Sequence, residues 1–535
     1  MPDGRKIIHF FKEDMAMSMP KWLENIVFYE IYPQSFNDTN ADGIGDIPGI
    51  IEKLDYIKEL GCDGIWLNPC FESPFYDAGY DVSNYKKVAP RYGTNEDLKR
   101  LFEEAHARDM HVILDLVPGH TSINHKWFQE SCKAAKNEYT DRYVWNDDIW
   151  SDFGQDESIM GSIRGFYERN GCCAVNFFSI QPALNYGYAK CTESWMQPMD
   201  APGPMATREA MKDVMRFWMS MGCDGFRVDM AGSLVKNDEG QEATIQLWQD
   251  FRRFMDEEFP DCALLSEWGN PGRSLRGGFH MDFLLHFGPS HYLDLFRVEE
   301  PYFSRRGKGD ISDFVETYKS NYEATNREGL ICIPSGNHDM PRIKDKLDDE
   351  EVKIAFAFLL SVPGAPFIYY GDEIGMNYLA DLPSVEGGYH RTGARSPMQW
   401  DHSANAGFSS GEPESLYISL DPSENRPTVQ DALEGRIPLY DEIKKLIAIR
   451  KEHEALQSTA PMEFLYAEKA AYPLVYKRTG KDEEILIAIN PSGQEATCQV
   501  AAGTGKGVIY SNNGEAVLEN GKLTVPAASA SFILL

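Results

Sequence analysis

A chain of 535 residues, 42% hydrophobic, 12% aromatic and 25% charged, is long enough for a large buried core and unlike a disordered or low-complexity segment. Its 52 basic and 83 acidic residues leave a net charge of −31, which repels a phosphate backbone or an anionic membrane surface and argues against nucleic-acid binding. The acidity is spread along the chain, the pattern of a protein kept in solution by its own charge.

Residues 1–20 read as an N-terminal extension. Its apolar patch is cut short by Lys12, Glu13 and Asp14, and no small-residue cleavage site follows, so no secretory leader is expected. No stretch reaches the roughly 18 uncharged apolar residues of a membrane-spanning helix. The ten cysteines are scattered without a Cys-x-x-Cys pair and read as reduced and structural. A cytoplasmic protein is expected.

Eight apolar runs follow: VFYEIYP from Val27, GIWLNP from Gly64, HVILDLVP from His111, GFRVDMA from Gly225, ALLSEWG from Ala263, DFLLHFG from Asp282, LICIPSG from Leu330 and APFIYYG from Ala365. Segments of helical spacing lie between most of them, such as IPGIIEKLDYIKELG, NEDLKRLFEEAHARD and ATREAMKDVMRFWMSMG. This alternation predicts an α/β protein with parallel strands, and eight units predict a (β/α)8 TIM barrel over 21–120 and 206–454. An open doubly wound sheet is the competing arrangement, but no Gly-x-Gly-x-x-Gly turn follows the first strand.

After that first strand, DTNADGIGD spaces oxygen donors at Asp38, Asn40, Asp42 and Asp46, with the Ile44 carbonyl between them and Gly43 at the bend. The pattern is that of a structural Ca2+ loop; Mg2+ or an ion-free Asx-rich turn are the alternatives. From Pro118 to about Met205 the chain lacks clean periodicity, which predicts a subdomain inserted after strand three, over 121–205, above the barrel mouth. Its Trp127, Trp145, Trp150 and Trp195 read first as subdomain core and second as sugar-stacking surfaces. Beyond YDEIKKLIAIRKEHEAL, short alternating runs such as LVYKRTG and EILIAINPSG predict an antiparallel C-terminal β-sandwich over 455–535.

Reacting groups of such barrels sit at the C-terminal ends of strands. There the chain carries Asp115 and His120 (run three), Arg227 and Asp229 (run four), Glu267 (run five) and Asn337, His338 and Asp339 (run seven). Any one of these carboxylates alone reads as a helix cap or loop ion pair. Asp229, Glu267 and Asp339 converging on one face is costly unless a cation or a catalytic task offsets it. With no nucleotide loop and no His-Glu-x-x-His pattern, glycoside hydrolysis fits, since it needs one carboxylate as nucleophile or base and another as proton donor.

Taken in order, DLVPGH, GFRVDMA, LLSEW and SGNHD resemble the four signature regions of the α-amylase superfamily, glycoside hydrolase family 13. GCDGIWLNP, QPALN and GAPFIYYGDEIGM resemble its auxiliary regions. The resemblance implies Asp229 as the nucleophile that forms a covalent glycosyl-enzyme, kept ionised by Arg227, and Glu267 as general acid and then base in a less polar setting. It implies Asp339 gripping sugar hydroxyls, and His120 and His338 donating hydrogen bonds at the cleaved residue. The family retains configuration, so the Asp229 and Glu267 carboxyls are expected ~5–5.5 Å apart. FYDAGYDVSNY resembles the α-glucosidase and oligo-1,6-glucosidase branch, with Asp77 capping the non-reducing glucose and Tyr80 as its aromatic platform. RTGARSPMQW resembles that branch's Arg-x-Pro-Met-Gln-Trp run and implies Arg395 at the pocket's edge; QPALN implies Gln181 in the substrate site. The branch also carries a structural metal loop that DTNADGIGD resembles.

Three departures stand out. Gly119 replaces an asparagine that serves a second, interdomain calcium, so none is expected there; Ala183 replaces an aspartate; and 186–205 is longer than the usual link. Met230, where enzymes preferring α-1,6 bonds tend to carry valine, leans toward α-1,4 or another linkage. The leading expectation is a retaining, exo-acting α-glucosidase of short malto- or isomalto-oligosaccharides, monomeric or a small homo-oligomer, with one structural Ca2+. A transglycosylase or isomerase of trehalose synthase or sucrose isomerase type is the second reading. A non-catalytic relative is the third, and it predicts a broken triad and a membrane anchor, neither of which the sequence carries.

Overall fold

The computed structural model describes residues 19–535 apart from 155, 157, 327 and 328, so the predicted N-terminal extension lies outside the described residues but for Met19 and Pro20. Each apolar run holds one strand: β1 (Phe28–Ile31), β2 (Gly64–Leu67), β3 (His111–Leu116), β4 (Gly225–Val228), β5 (Ala263–Ser266), β6 (Met281–Phe283), β7 (Leu330–Cys332) and β8 (Phe367–Tyr369). The strands pair in parallel and in sequence order, and β8 returns beside β1 with Phe28 opposite Phe367. A single bridge, Pro334 to Phe367, links the end of the β7 run to β8. The sheet curls into the expected (β/α)8 TIM barrel.

Crossover helices lie outside. Asn95–His106 starts at Thr94, whose hydroxyl accepts the Asp97 N–H while Asp97 accepts the Thr94 N–H, and it buries Leu98, Leu101, Phe102 and Ala105 along one stripe. The stretch 47–61, which reads as one helix, is two, Ile47–Glu52 and Leu54–Leu60, because Lys53 at φ −105°, ψ 5° leaves the helical region. Inside the barrel, Phe28, Phe367, Phe283 and Trp66 form an aromatic layer with successive ring centroids 4.4, 4.9 and 5.5 Å apart. It ends where the Trp66 indole N–H donates to Asp115 (3.1 Å), the first residue of the polar layer above.

The inserted segment carries a small hairpin, Gly161–Ile163 with Cys173–Val175, and its own core of Val144, Phe153, Cys172, Ala174, Ala183 and Tyr188. Trp127, Trp145 and Trp195 pack inward as expected; Trp150 is 84% exposed and does not. A second long connection escaped the sequence reading. Residues 370–437, between β8 and helix Pro438–Glu452, form 3-10 turns and the short helix Val429–Leu433. Isolated buried anchors hold this connection, such as Trp400, whose indole N–H donates to the Phe36 carbonyl (2.8 Å), and isolated anchors leave no period to read.

At the C-terminus a five-stranded and a three-stranded antiparallel sheet face each other. Strand Glu484–Asn490 is buried on both faces: Ile485, Ile487 and Ile489 join the main core, while Leu486 and Ala488 join the core between the sheets. None of the ten cysteines is paired, and Cys191 alone is exposed. No helix among the described residues is long and apolar enough to cross a membrane.

Candidate active site

Strand alternation builds the centre of the barrel mouth. Arg227 points inward from β4, and Asp229, two residues on, projects from the strand end on the same face. The Arg227 guanidinium is 1% exposed and touches three carboxylates: Nη1 to Asp115 at 2.7 Å and to Asp229 at 3.1 Å, and Nη2 to Glu267 at 2.8 Å. Fully ionised, that cluster carries one positive charge against three negative ones, so a proton retained among the carboxylates relieves it. Burial pushes Asp229 well above the usual carboxylate range, the charge of Glu267 adding to the effect and Arg227 opposing it. Burial likewise raises Asp115 to about 6. The expected contrast between a polar Asp229 and a less polar Glu267 is therefore not what the geometry has: one guanidinium bridges both. The Met230 N–H also donates to Glu267 (3.2 Å).

Asp339 lies in the opposite electrostatic situation. Arg391 and Arg395 each donate to its Oδ1 at 2.9 Å, and burial is outweighed by these two cations, which hold the carboxyl far below the usual range. His338 is fixed from both sides. Its Nδ1 lies 2.9 Å from Glu30 at the end of β1, and its Nε2 lies 2.8 Å from the Tyr80 hydroxyl, whose ring stacks on the imidazole with centroids 5.5 Å apart. Burial lowers His338 to about 3, so it is neutral. Asp77, 4% exposed, accepts from Gln181 (2.8 Å) and lies 3.6 Å from Arg391. Glu267 is held at its angle through Asp282 of β6, which accepts the Trp268 (3.1 Å) and Asn270 (2.8 Å) N–H groups of the following turn.

These groups open into a cavity of about 1210 Å³ at the C-terminal face of the barrel. Of the residues singled out in the sequence, Asp77, Tyr80, His120, Asp229, Glu267 and Asp339 line it. Gln181, Arg227, His338 and Arg395 stand behind that lining, each with its polar head on a residue that faces the cavity. Arg395 is thus beneath Asp339, 1% exposed, and not at the pocket's edge; Arg391, four residues earlier, faces the cavity. The sequence reading missed Arg391, although the same RTGAR run carries it, and it missed Glu30, Asn176, Lys236 and Asp282. A lone Glu, Asn or Lys within an apolar run has no spacing to mark it.

The loop expected to bind calcium is a ladder of Asx turns. Asp38, Asn40 and Asp42 accept the N–H groups of Asn40, Asp42 and Ile44 at 3.0, 3.0 and 2.9 Å. Asp46 accepts from the Thr39 N–H (2.9 Å) and from the Gly49 N–H (2.7 Å), where it caps helix Ile47–Glu52. Among the described residues no cationic side chain pairs with Asp38, Asp42 or Asp46, and an all-oxygen donor set of this charge fits a hard divalent ion. A different trio, His106, His111 and Asp224, lies at the opposite end of the barrel. There Asp224 lies 2.9 Å from His106 Nε2 and 3.0 Å from His111 Nδ1 and accepts the Val112 N–H at 2.8 Å, so ring protons already occupy the directions a metal would need.

Residues 30–459 match the alpha amylase catalytic domain. The chain is 32% identical to a glucan 1,6-alpha-glucosidase of Streptococcus pneumoniae, over 92% of this chain and 95% of that protein. It is also 32% identical to a trehalose synthase/amylase of Mycobacterium tuberculosis, over 88% of this chain and 82% of that one. The solved trehalulose synthase from Pseudomonas mesoacidophila superposes with a TM-score of 0.78 at 26% identity, covering 96% of this chain and 99% of that chain. Barrel, carboxylate cluster and matched length agree, and the chain belongs to the alpha-amylase family, glycoside hydrolase family 13.

Proposed function

We propose that this enzyme is a retaining, exo-acting α-glucosidase of short malto- or isomalto-oligosaccharides. The observation that carries the reading is the pair of anchored carboxylates in the cavity wall, Asp77 fixed by Gln181 and Arg391, and Asp339 by two arginines. Carboxylates anchored this way are placed to accept hydrogen bonds from the hydroxyls of a terminal glucose. Asp229 attacks the anomeric carbon as the aglycone oxygen takes a proton from Glu267, and water then reverses the transfer with Glu267 as base. This order of steps requires Asp229 as the carboxylate and Glu267 as the acid when substrate is bound. Proton NMR of the purified chain with maltose, isomaltose and sucrose tests this: α-glucose is the expected first product, and β-glucose overturns it.

A second reading, a transglycosylase or isomerase of trehalose synthase or sucrose isomerase type, uses the same residues. It is favoured by the aromatic rim of Phe177, Phe178, Phe287 and Tyr389 around the cavity, which would shield a glycosyl-enzyme from water. Conversion of maltose to trehalose, or of sucrose to an isomer, without net glucose release would replace the first reading by this one.

The Asp38–Asp46 loop, on this proposal, holds one Ca2+ through Asp38, Asn40, Asp42, the Ile44 carbonyl and Asp46, in a structural role. Chelation is expected to lower the melting temperature by several degrees, about what a few kcal/mol of lost binding gives, and Ca2+ to restore it. An unchanged melting curve with EDTA, in protein shown by elemental analysis to carry calcium beforehand, would contradict that role.

A further inference from the structure

Position 119 carries no side chain, and the space beside it is taken. A Cβ there would meet the Asn176 amide nitrogen at 2.7 Å. Asn176 is 1% exposed, and its two ends are told apart by their neighbours. Its Oδ1 faces Lys236 Nζ at 3.4 Å and the Ser233 hydroxyl at 3.5 Å, and an ammonium only donates, so the oxygen belongs there. Its Nδ2 therefore donates to His120 Nδ1 at 3.0 Å. On the other side of the ring, His120 Nε2 lies 3.1 Å from the Tyr80 carbonyl, which only accepts. The two contacts agree on one state: neutral imidazole, hydrogen on Nε2, lone pair on Nδ1.

The relay starts at a buried cation. Lys236 is 1% exposed and is held by the Ser233 carbonyl (2.6 Å) and the Ser158 carbonyl (3.2 Å) of the inserted segment. Its charge, two residues removed from His120 through Asn176, disfavours an imidazolium; burial is the larger cause, and together they lower His120 to about 3.

We propose that Asn176 is a positioning residue that occupies the volume vacated at Gly119 and fixes His120 as the neutral Nε2–H tautomer at the wall of the sugar pocket. This rests on the glucosidase reading only in assigning His120 to the substrate site; the tautomer itself does not depend on which sugar is bound. Gly119 and Asn176 then form an exchangeable pair, since one side chain at either position fills the same space.

The test uses the full chain with nitrogen-15 histidine, the His120 signal being assigned by its loss in His120→Gln. The parent is expected to show an unprotonated Nδ1 and no charging of the ring from pH 8 to 5. Asn176→Asp presents an acceptor on each side of the ring, so His120 is expected to take a second proton within that range. With the sugar that the parent turns over, kcat/KM is expected to fall roughly 10- to 100-fold, the scale on which misplacing a site group is felt. Gly119→Asn alone is expected to lose activity by displacing Asn176, and Gly119→Asn with Asn176→Gly to recover most of it. A parent protonated on Nδ1 overturns the proposal, as does an Asn176→Asp protein with unchanged His120 signals, or a double variant no better than Gly119→Asn. If the parent turns over no tested sugar, the glucosidase reading fails while the histidine spectra still decide this one.

Discussion

Replacing Asp229 by asparagine is expected to remove at least ~10⁴-fold of the turnover while leaving the fold as stable as before, or more so. The amide cannot attack an anomeric carbon, and the size of the loss reflects a step with no substitute in the cavity. Stability moves the other way because the carboxylate is buried among Glu267, Asp115 and Asp77, with one shared arginine. Its folded pKa is raised, so the parent loses stability as pH climbs from the unfolded value of about 4 toward the folded one, and the asparagine variant is spared that loss. The melting-temperature gap between variant and parent should therefore widen from pH 4 to pH 7. Residual turnover within tenfold of the parent would remove Asp229 from the nucleophile role, whatever the melting curves show.

Arg227→Met is expected to be the most destabilising single change in the site. The guanidinium is buried and, among the described residues, is the sole cation in contact with Asp115, Asp229 and Glu267. Removing it leaves buried Asp115 and Asp229 facing partly buried Glu267 with no cation between them, and breaking a buried ion pair from one side costs about 3–5 kcal/mol. The deficit has a pH signature. Burial already raises Asp115 to about 6 and Asp229 well above its usual range with the arginine present, and without it both folded-state values rise further. Raised folded values mean stability is lost as pH rises, so the variant should regain much of its deficit between pH 7 and pH 5. Thermal unfolding across that interval measures it; a deficit that stays constant or grows on acidification would show that the arginine acts through packing and not through charge. Arg227→Lys should recover little, because one ammonium cannot donate in two directions at fixed angles to Asp115 and Glu267.

Most of the barrel was legible because its signals are local. Each strand is a short apolar run, each crossover helix a stripe of period 3.6, and alternation along β4 alone puts Arg227 and Asp229 on one face. The candidate carboxylates were legible for the same reason, since a polar residue at the end of an apolar run marks the mouth of a barrel. The 370–437 connection was not, because its order comes from single anchors such as Trp400 inserted into distant pockets. Nor was the sharing of Arg227 between Asp229 and Glu267: Arg227 and Glu267, 40 apart in sequence, meet only because β4 and β5 pair side by side. The sequence by itself determined the fold class, the family and the convergence of Asp229, Glu267 and Asp339 at the barrel mouth, all of which rest on periodicity and ordered motifs. Only the tertiary structure decided that Arg395 supports Asp339 from below while Arg391 faces the cavity, and that Asn176 fills the gap at Gly119. Those outcomes depend on which side chains compete for one buried volume, a quantity set by contacts between elements far apart in the chain and carried by no local pattern.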